Sequence, residues 1–260
     1  MVIFAKKSLG QNFLIQPQIV ADIVAASETQ TEETVVEVGP GTGLLTQKLL
    51  EIGAFVKAVE KDSSLIPILE EKFQRNIENG SLTLLNEDIL KTSLKIDREY
   101  RVVANIPYYI TGKIIRLFLE KENKPKSMTL LVQKEVAERI LAKDQKESLL
   151  SISVKTYGVP KYVKTVRAGN FRPVPKVDSA ILHISDINNK NFADFSEEHF
   201  FSVLRTGFKS KRKKLFKNLK SFNKNHKLDN AFDSCSTEKG LRAEDLSVED
   251  WLCLANKLQN

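Results

Sequence analysis

Residues 37–43 read Glu37-Val38-Gly39-Pro40-Gly41-Thr42-Gly43, a glycine-rich turn between a strand-like run (Thr34 to Val38) and a helix-like run (Leu44 to Ile52). An α/β sheet binds nucleotide-like cofactors at such a turn. The glycines alone are a weak signal, because doubly wound folds that bind NAD, FAD or nothing at all also carry them. A dinucleotide site and a purely structural turn therefore stay open as interpretations.

Two details of this turn favour a cofactor without phosphate. Its spacing is G-x-G-x-G, whereas pyrophosphate sites have G-x-G-x-x-G. Glu37 at the strand end would repel a phosphate but could attract an ammonium group. S-adenosylmethionine carries an ammonium and no phosphate, so the turn, with Gly39 and Gly41, is predicted to bind that cofactor.

Two further strand-like runs also end beside acidic residues. The run Ala54 to Val59 precedes Glu60, about twenty residues beyond the first glycine, where an acid can accept both hydrogen bonds of a ribose diol. The run Leu82 to Leu85 is followed by Asp88, a potential acceptor for an adenine amine, and by Ile89, which could pack on the adenine ring. A solvated acid at a strand end explains each case alone, but three successive strands with this feature favour a cofactor site.

The stretch Asn105-Ile106-Pro107-Tyr108 fits a site that methylates an exocyclic amine. An adenine amine is a poor nucleophile because its lone pair is delocalised into the ring. The Asn105 side-chain oxygen and the Ile106 carbonyl could accept the two amine hydrogens and turn the lone pair toward a sulfonium methyl. Pro107 fixes φ and lacks a competing N–H donor, and Tyr108 offers an aromatic face to a flipped base. The structural alternative is a strand that ends in a proline turn with a core tyrosine.

With these motifs the chain resembles the family of rRNA adenine dimethyltransferases, and the small-subunit type within it. Five segments in order carry the resemblance over nearly the whole length: Gly10-Gln11-Asn12-Phe13-Leu14, the turn Glu37 to Gly43 with Leu44-Leu45-Thr46 after it, Asn105 to Tyr108, Gln133-Lys134-Glu135-Val136-Ala137, and Phe171-Arg172-Pro173-Val174-Pro175-Lys176-Val177-Asp178-Ser179. The resemblance implies S-adenosylmethionine as cofactor and dimethylation of two adjacent adenines in the 3′-terminal hairpin loop of small-subunit rRNA. The implied partner is that rRNA, within a small ribosomal subunit or its precursor.

The resemblance also implies roles for single residues. Asn12 and Leu14 would close over the methionine part of the cofactor, Asn105 would bridge cofactor and target base, and Tyr108 and Phe171 would sandwich that base. The remaining cofactor contacts are those named above, at Glu37, Gly39, Gly41, Glu60, Asp88 and Ile89. Without the resemblance, the Phe171 segment is equally a proline-bounded turn before a strand, and residues 11–14 are an N-terminal arm tucked against the core.

The order of the elements predicts two domains. At 260 residues and 42% hydrophobic composition, the chain can form one large core and a smaller unit. Strands and helices alternate up to about Ile187, which predicts a mostly parallel sheet with helices on both faces over residues 1–187. The resemblance implies that this is a Rossmann-like, class I methyltransferase domain. After a linker-like stretch, Ser185 to Phe195, residues 188–260 are predicted to form a small all-helical domain. Its predicted helices lie near His199 to Thr206, Ser210 to Phe222 and Val248 to Leu258.

Several other classes of protein are not indicated. No run approaches the roughly eighteen apolar residues of a membrane span, and Met1 to Lys7 lacks the apolar core of a signal peptide, so a cytosolic protein is expected. Cys235 and Cys253 lack metal-ligand spacing and the three histidines are scattered, so neither a metal site nor thiol chemistry is predicted. We expect a monomer.

The net charge of +7 is unevenly placed. From His199 to Leu228 there are ten Lys or Arg residues and no acids, whereas Asp229 to Asn260 has seven acids and three bases. Apolar residues recur at helical spacing in the basic run (Phe208, Leu215, Leu219 and Phe222), which would leave Lys209, Lys213, Lys217 and Lys220 facing outward toward RNA phosphates. A merely solvated lysine face is the alternative. The predicted RNA-binding residues are Lys209, Lys211, Arg212, Lys213, Lys214, Lys217 and Lys220. Because the family usually has an Arg-Arg-Lys-Thr-like stretch where this chain has Lys211-Arg212-Lys213-Lys214, their charge is expected to matter more than any base-specific contact.

Two rival functions remain at the level of sequence. An antibiotic-resistance methyltransferase acting on large-subunit rRNA would share the Asn-Ile-Pro-Tyr and Phe-x-Pro-x-Pro motifs. The sequence of the turn, Pro40-Gly41-Thr42-Gly43-Leu44-Leu45, favours the small-subunit type. A non-catalytic rRNA-binding assembly factor could use the same fold. Intact Asn105 and Glu60 argue against the second rival.

Overall fold

A computed structural model describes residues 5–6, 9–92, 94–222 and 226–259. In these ranges the strands are β1 (Phe13–Leu14), β2 (Thr34–Val38), β3 (Phe55–Glu60), β4 (Leu82–Asn86), β5 (Tyr100–Asn105), β6 (Ser127–Gln133), β7 (Val159–Val166), β8 (Phe171–Arg172) and β9 (Ser179–Ser185). The α-helices are α1 (Pro17–Ser27), α2 (Leu44–Glu51), α3 (Ile66–Lys72), α4 (Gln74–Glu78), α5 (Thr111–Leu119), α6 (Lys134–Ile140), α7 (Leu149–Tyr157), α8 (Glu197–Phe208), α9 (Leu215–Asn218), α10 (Lys227–Ser234) and α11 (Val248–Lys257). None of the helices in these ranges has the length and apolar composition needed to span a bilayer.

The main sheet has the strand order β4-β3-β2-β5-β6-β9-β7. Neighbours from β4 to β6 are parallel, and β9 runs antiparallel to both β6 and β7. Every residue of β2 is buried, including Thr34 and Glu37, as expected for a parallel strand that is covered on both faces. The architecture confirms the predicted α/β fold with a mostly parallel sheet. The antiparallel end was not specified by the alternation of elements.

The strand order reverses beside β2. The chain continues from β2 to β3 on one side, whereas β5 lies on the other side of β2. Ligands of open α/β sheets bind outside the carboxyl ends of the strands at such a switch point. Glu37, Glu60 and Asn105 lie at or next to the ends of β2, β3 and β5, so the fold brings these residues to the same edge of the sheet.

Helix α1, which the sequence analysis did not predict, covers part of this sheet. It begins at Pro17, whose missing N–H costs nothing at the first helical position. Its residues Ile19, Val20, Ile23 and Val24 are buried in the core cluster of the sheet. Their spacing of one, three and four residues is the signature of one helical face, so the signal was present in the sequence.

The predicted helix over Ser210 to Phe222 is wrong. A helix begins only at Leu215, with α9, and a short 3₁₀ helix follows over Leu219–Phe222. The Leu215 N–H donates to the Leu241 carbonyl at 2.8 Å, and the Asn218 side chain donates to the Gly207 carbonyl, in the last turn of α8, at 2.6 Å. The first bond occupies an N–H that a helix over Ser210 to Phe222 would pair internally, and the second ties this segment to α8. The predicted helices near His199 to Thr206 and Val248 to Leu258 are present as α8 and α11.

The chain divides into two compact units, Met1–Ala137 with Val159–Ile187 and Glu138–Gly158 with Asn188–Asn260. The first contains the main sheet, and the second contains α7 to α11. One division falls after Ile187, where the sequence predicted the domain boundary. Residues 138–158, assigned to the first domain by that prediction, group with the helical unit because α7 packs against α8 and α11. Tyr157 of α7, for example, stacks on Phe201 of α8 with ring centroids 6.0 Å apart.

A disulfide links Cys235, which follows α10, to Cys253 of α11 within the helical unit. Their Cα atoms are 5.9 Å apart. The prediction of no thiol chemistry is therefore wrong. It rested on spacing along the chain, which does not reveal that α10 and α11 pack side by side.

Candidate functional site

The turn between β2 and α2 favours glycine at three positions. Gly39, Gly41 and Gly43 have φ values of 69°, 59° and 75°, in the left-handed region that other residues rarely adopt. A Cβ atom at Gly43 would lie 2.5 Å from the Phe73 ring, and one at Gly41 would lie 3.0 Å from the Phe13 ring. At Gly39, by contrast, an added Cβ would meet nothing within 4 Å. The turn is thus packed closely on two sides and open at Gly39.

A cleft with about 1020 Å³ of empty space, part of it open to solvent, lies at the carboxyl ends of β2 to β5. Twelve of the predicted site residues line it: Asn12, Leu14, Glu37, Gly39, Gly41, Glu60, Asp88, Ile89, Asn105, Ile106, Pro107 and Tyr108. The structure therefore brings the predicted cofactor residues and the predicted amine-binding residues into a single cleft. What these residues bind stays a prediction.

Glu37 lines the cleft from the end of β2 and is only 1% exposed. Among the described residues, neither of its carboxylate oxygens has a hydrogen-bond partner of good geometry. Burial, assisted by the negative charge of Glu60, raises the pKa of Glu37 to about 8 against the opposing influence of Thr46 and Lys72. A buried carboxyl group left without a partner is costly, and an ammonium ligand in the cleft would satisfy it.

Glu60 ends β3 and is also buried. One of its oxygens accepts from the Gly41 N–H at 3.2 Å, and the other accepts from the Asp62 N–H at 2.7 Å. Burial raises the pKa of Glu60, and these two backbone donors partly offset that effect. The bonds fix the carboxylate against the glycine turn while each oxygen keeps a lone pair, so Glu60 can still accept hydrogen bonds from a ribose diol.

Asp88 is held by a cation that the sequence analysis did not select. Lys61 Nζ lies 2.9 Å from an Asp88 carboxylate oxygen, and the Leu90 N–H donates to the other oxygen at 3.1 Å. The hydrogen bond from Lys61 lowers the pKa of Asp88, which keeps the carboxylate ionised. An ionised acid next to Ile89 fits the predicted acceptor for the cofactor's adenine amine.

Asn105 ends β5 and is oriented by the N-terminal arm. Its Nδ2 atom donates to the backbone carbonyl of Asn12 at 3.2 Å, and the Asn12 side chain donates to the Gly10 carbonyl at 3.3 Å. Since only the amide nitrogen can donate to a carbonyl, the first bond fixes Nδ2 toward the arm. The Asn105 Oδ1 atom is left to accept from an amine.

Tyr108 is half-buried, and its hydroxyl exchanges a hydrogen bond of 2.7 Å with Ser179. The Thr111 hydroxyl donates to the Tyr108 carbonyl at 3.1 Å. Burial raises the pKa of Tyr108, and the Ser179 contact partly counteracts this effect. The hydroxyl and the backbone of Tyr108 are therefore both held by hydrogen bonds, and the residue lines the cleft.

Phe171 does not line the cleft. It is fully buried and pairs with Leu14 in the short antiparallel β1–β8 sheet. A ring enclosed in the core cluster has no free face for a base. The predicted sandwich of Tyr108 and Phe171 around the target base is thus not met in this structure. The bond that follows, Arg172–Pro173, is cis.

A buried acid ties the N-terminal arm to the rim of the cleft. Asp62 is 3% exposed and accepts hydrogen bonds from Lys6 Nζ at 2.6 Å and from Gln11 at 2.9 Å. The donors around Asp62, including Lys6, Ser64 and Gln11, hold its pKa well below the usual range despite its burial. Sequence analysis missed this contact, because no local pattern relates Lys6 or Gln11 to a residue more than fifty positions away.

The seven predicted RNA-binding residues are all exposed on the helical unit: Lys209, Lys211, Arg212, Lys213, Lys214, Lys217 and Lys220. Leu215 and Leu219 are buried between them, and Phe208 stacks on Trp251 with ring centroids 5.4 Å apart. The apolar side chains therefore face the interior as expected. The cations form an exposed basic segment, although no continuous helix arranges them in a stripe.

Comparison with known proteins gives consistent similarities in sequence. A model of the ribosomal RNA adenine dimethylase family matches residues 3–260. The protein named ribosomal RNA small subunit methyltransferase A in Dehalococcoides mccartyi strain CBDB1 is 43% identical over 258 residues, which cover 96% of this chain and 88% of the relative. The protein of the same name in Clostridium botulinum strain Kyoto (type A2) is 38% identical over 252 residues, which cover 94% of this chain and 90% of the relative.

Solved structures show similarity along the same length. The crystal structure of the 23S rRNA methyltransferase ErmE matches with a TM-score of 0.75 and 26% identity, and covers 95% of this chain and 99% of that one. A dimethyladenosine transferase from Plasmodium falciparum matches with a TM-score of 0.76 and 28% identity, and covers 93% of this chain and 95% of that one. The likeness therefore extends through both compact units.

Proposed function

Because the chain belongs to the ribosomal RNA adenine dimethylase family, we propose that it transfers methyl groups from S-adenosylmethionine to the exocyclic amines of two adjacent adenosines in the 3′-terminal hairpin loop of small-subunit rRNA. Each adenosine is dimethylated during small-subunit biogenesis, in the cytoplasm, by a monomer acting on the subunit or its precursor. The single observation that carries the chemistry is the orientation of Asn105, whose Nδ2 atom is bound to the N-terminal arm and whose Oδ1 atom is left as an acceptor in the cleft that the glycine turn also lines.

The cleft residues fit the proposed cofactor. Glu37 offers an unpartnered buried carboxyl to an ammonium group, Glu60 a fixed carboxylate to the ribose, and Asp88 an ionised carboxylate to the adenine amine. Gly39 leaves the backbone open to close approach. When bound, S-adenosylmethionine supplies an electrophilic methyl group. A dinucleotide fits less well, since its pyrophosphate would meet two buried acids rather than a cation.

The residues around Asn105 fit the activation of an adenine amine. Asn105 Oδ1 and the Ile106 carbonyl accept the two amine hydrogens and turn the nitrogen lone pair out of conjugation, and the Tyr108 ring stacks on the flipped base. The amine proton becomes acidic only after attack on the methyl carbon. Acceptors and alignment are therefore sufficient, and the rate comes mostly from positioning rather than from a strong general base.

The exposed basic segment, residues 209–220, supplies affinity for RNA. Cations contact phosphates without regard to sequence and fix the register of the RNA. The absence of a regular helical stripe does not weaken this role, because phosphate neutralisation depends on charge and exposure rather than on a helical face.

The proposed function and its main rival differ in which ribosomal subunit is the substrate. Large-subunit methylation is favoured by the structural likeness to ErmE, at 26% identity. Small-subunit methylation is favoured by relatives of 38% to 43% identity that are named for it. The higher sequence identity and the sequence of the glycine turn support the small subunit as the substrate. The retained acceptor geometry at Asn105 argues against a non-catalytic assembly factor.

One experiment separates these possibilities. Purified protein is incubated with labelled S-adenosylmethionine and with separated, unmethylated small or large ribosomal subunits, and the labelled positions are mapped. We expect label on two adjacent adenosines of the small-subunit rRNA. Label on the large subunit alone would instead support a large-subunit rRNA methyltransferase. Binding of the protein to a subunit without label on either subunit would favour a non-catalytic assembly factor.

A further inference from the structure

Tyr109 lines the cleft and is 60% exposed. It follows Tyr108 directly, yet the two rings differ in their environment, since Tyr108 is half-buried and hydrogen-bonded to Ser179. An aromatic ring that stays exposed beside a binding cleft has a face free for a ligand. Neither the cofactor contacts nor the acceptors at Asn105 and Ile106 use Tyr109.

The backbone that carries Tyr109 is well fixed. A 3₁₀ helix over Tyr108–Ile110 follows Pro107, and the Ile110 N–H donates to the Pro107 carbonyl at 3.2 Å. The ring covers Gly10, where an added Cβ atom would lie 3.0 Å from its Cδ1 and Cε1 atoms. Part of the ring thus rests on the N-terminal arm, and the remainder is open to solvent. Such a preorganised ring loses little conformational entropy when it binds a ligand.

We propose that the exposed face of Tyr109 stacks on the nucleobase next to the target adenine, which makes Tyr109 a binding residue for the RNA substrate. This inference rests on the proposed function. A base that is flipped out of a loop leaves its neighbour without a stacking partner, and an exposed aromatic ring supplies one without regard to the identity of the base.

A purely structural role for Tyr109 makes a different prediction. If the ring served only to anchor the arm at Gly10, its loss would disturb Asn12 and Leu14 and would weaken cofactor binding. Tyr109→Leu separates the roles, because leucine keeps an apolar side chain against Gly10 but has no ring face. Tyr109→Phe keeps the face and removes only the hydroxyl. Phe55→Leu is the matched control, since Phe55 is an exposed aromatic at the start of β3, the opposite edge of the sheet from the cleft.

The test is single-turnover methyl transfer to unmethylated small subunits over a range of subunit concentrations, with cofactor affinity measured by calorimetry on the same proteins. We expect Tyr109→Leu to raise the subunit concentration at half-maximal rate by roughly tenfold, as loss of one stacked base does, with cofactor affinity unchanged. Tyr109→Phe and Phe55→Leu should behave as the wild type. A normal subunit concentration at half-maximal rate for Tyr109→Leu, or a loss of cofactor affinity that accounts for its defect, overturns the proposed stacking role of Tyr109 but not the proposed function. Absence of methyl transfer by the wild-type protein overturns the proposed function, and the stacking role of Tyr109 with it.

Discussion

The side-chain amide of Asn105 donates a hydrogen bond of 3.2 Å to the backbone carbonyl of Asn12, which lies 93 positions earlier in the chain. The bond connects the end of β5 to the N-terminal arm, which Asp62 in turn holds through Lys6 and Gln11. Because Asn105 Nδ2 is committed to the arm, its Oδ1 atom is the one left to accept a hydrogen bond from the proposed substrate amine. The same arm carries Asn12 and Leu14 into the cleft, so the arm connects two proposed cofactor contacts with the orientation of Asn105.

The first prediction concerns the ribose contact. Glu60→Ala should weaken S-adenosylmethionine binding by roughly 1.5–3 kcal/mol, because charge-assisted hydrogen bonds to the ribose hydroxyls are lost. Calorimetry on the folded variant measures the change, with Glu99→Ala as control because Glu99 is exposed at the amino-terminal edge of the sheet, just before β5. Asp88→Ala should also weaken S-adenosylmethionine binding. NAD should not compete with S-adenosylmethionine for the site. Unchanged affinity in Glu60→Ala would remove Glu60 from the cofactor site.

The second prediction concerns the pH dependence of stability through Glu37. Its pKa is about 8 in the folded protein against an ordinary value of 4.5, so the folded state binds more protons than the unfolded state between these pH values. The free energy of unfolding should therefore fall as pH rises through this window and level off above it. Glu37→Gln removes this titration. Its loss of stability between pH 5 and pH 8 should be smaller than that of the wild type by about 2–4 kcal/mol.

Urea unfolding at the two pH values measures this difference. Parallel pH dependence in the wild type and Glu37→Gln would show that Glu37 ionises normally. Binding of S-adenosylmethionine gives a second readout, because an ammonium beside Glu37 favours the ionised form. At pH 7 the wild type should then release protons on binding, detected as a dependence of the binding enthalpy on the buffer, and Glu37→Gln should release fewer.

The third prediction concerns the basic segment. The double variant Lys213→Glu with Lys217→Glu should reduce affinity for the small subunit and lower the slope of log affinity against log salt by about two, because each lysine is predicted to neutralise one phosphate. Cofactor binding should be unchanged, since the site residues named above all lie in the other compact unit. The double variant Lys95→Glu with Lys113→Glu makes the same change in net charge at exposed positions of that unit. If both double variants alter the salt slope equally, the segment is only a solvated face.

Local sequence patterns were sufficient to predict the part of the candidate site that lies at the ends of consecutive strands. The strand Thr34–Val38 was predicted with its observed bounds, because a mostly apolar run directly before a glycine-rich turn is typical of a buried parallel strand. Glu37, Glu60 and Asn105 then follow from the rule that the carboxyl ends of such strands share one edge. Ten of the twelve predicted residues that line the cleft lie at or just after these strand ends, whereas Asn12 and Leu14 belong to the N-terminal arm.

Contacts between distant segments set the limit of that approach. Phe171 belongs to a recognisable motif, but its pairing with Leu14 buries the ring. The break before Leu215 depends on the carbonyl of Leu241, and the pairing of Cys235 with Cys253 depends on the packing of two helices. In each case the deciding partner lies beyond the reach of a local pattern.

The last prediction separates chemistry from binding at Asn105. Asn105→Ala should leave affinity for the small subunit nearly intact, because phosphate contacts dominate that affinity. It should slow single-turnover methyl transfer on the order of a hundredfold or more, since an aligned transition-state contact is lost. Tyr108→Ala should also reduce activity, by removing about 1–3 kcal/mol of base stacking, whereas Tyr108→Phe should keep much of it because only the hydroxyl that meets Ser179 is removed. Near-normal transfer by Asn105→Ala would contradict the mechanism, because no other predicted side chain at the end of β5 supplies an acceptor for the amine.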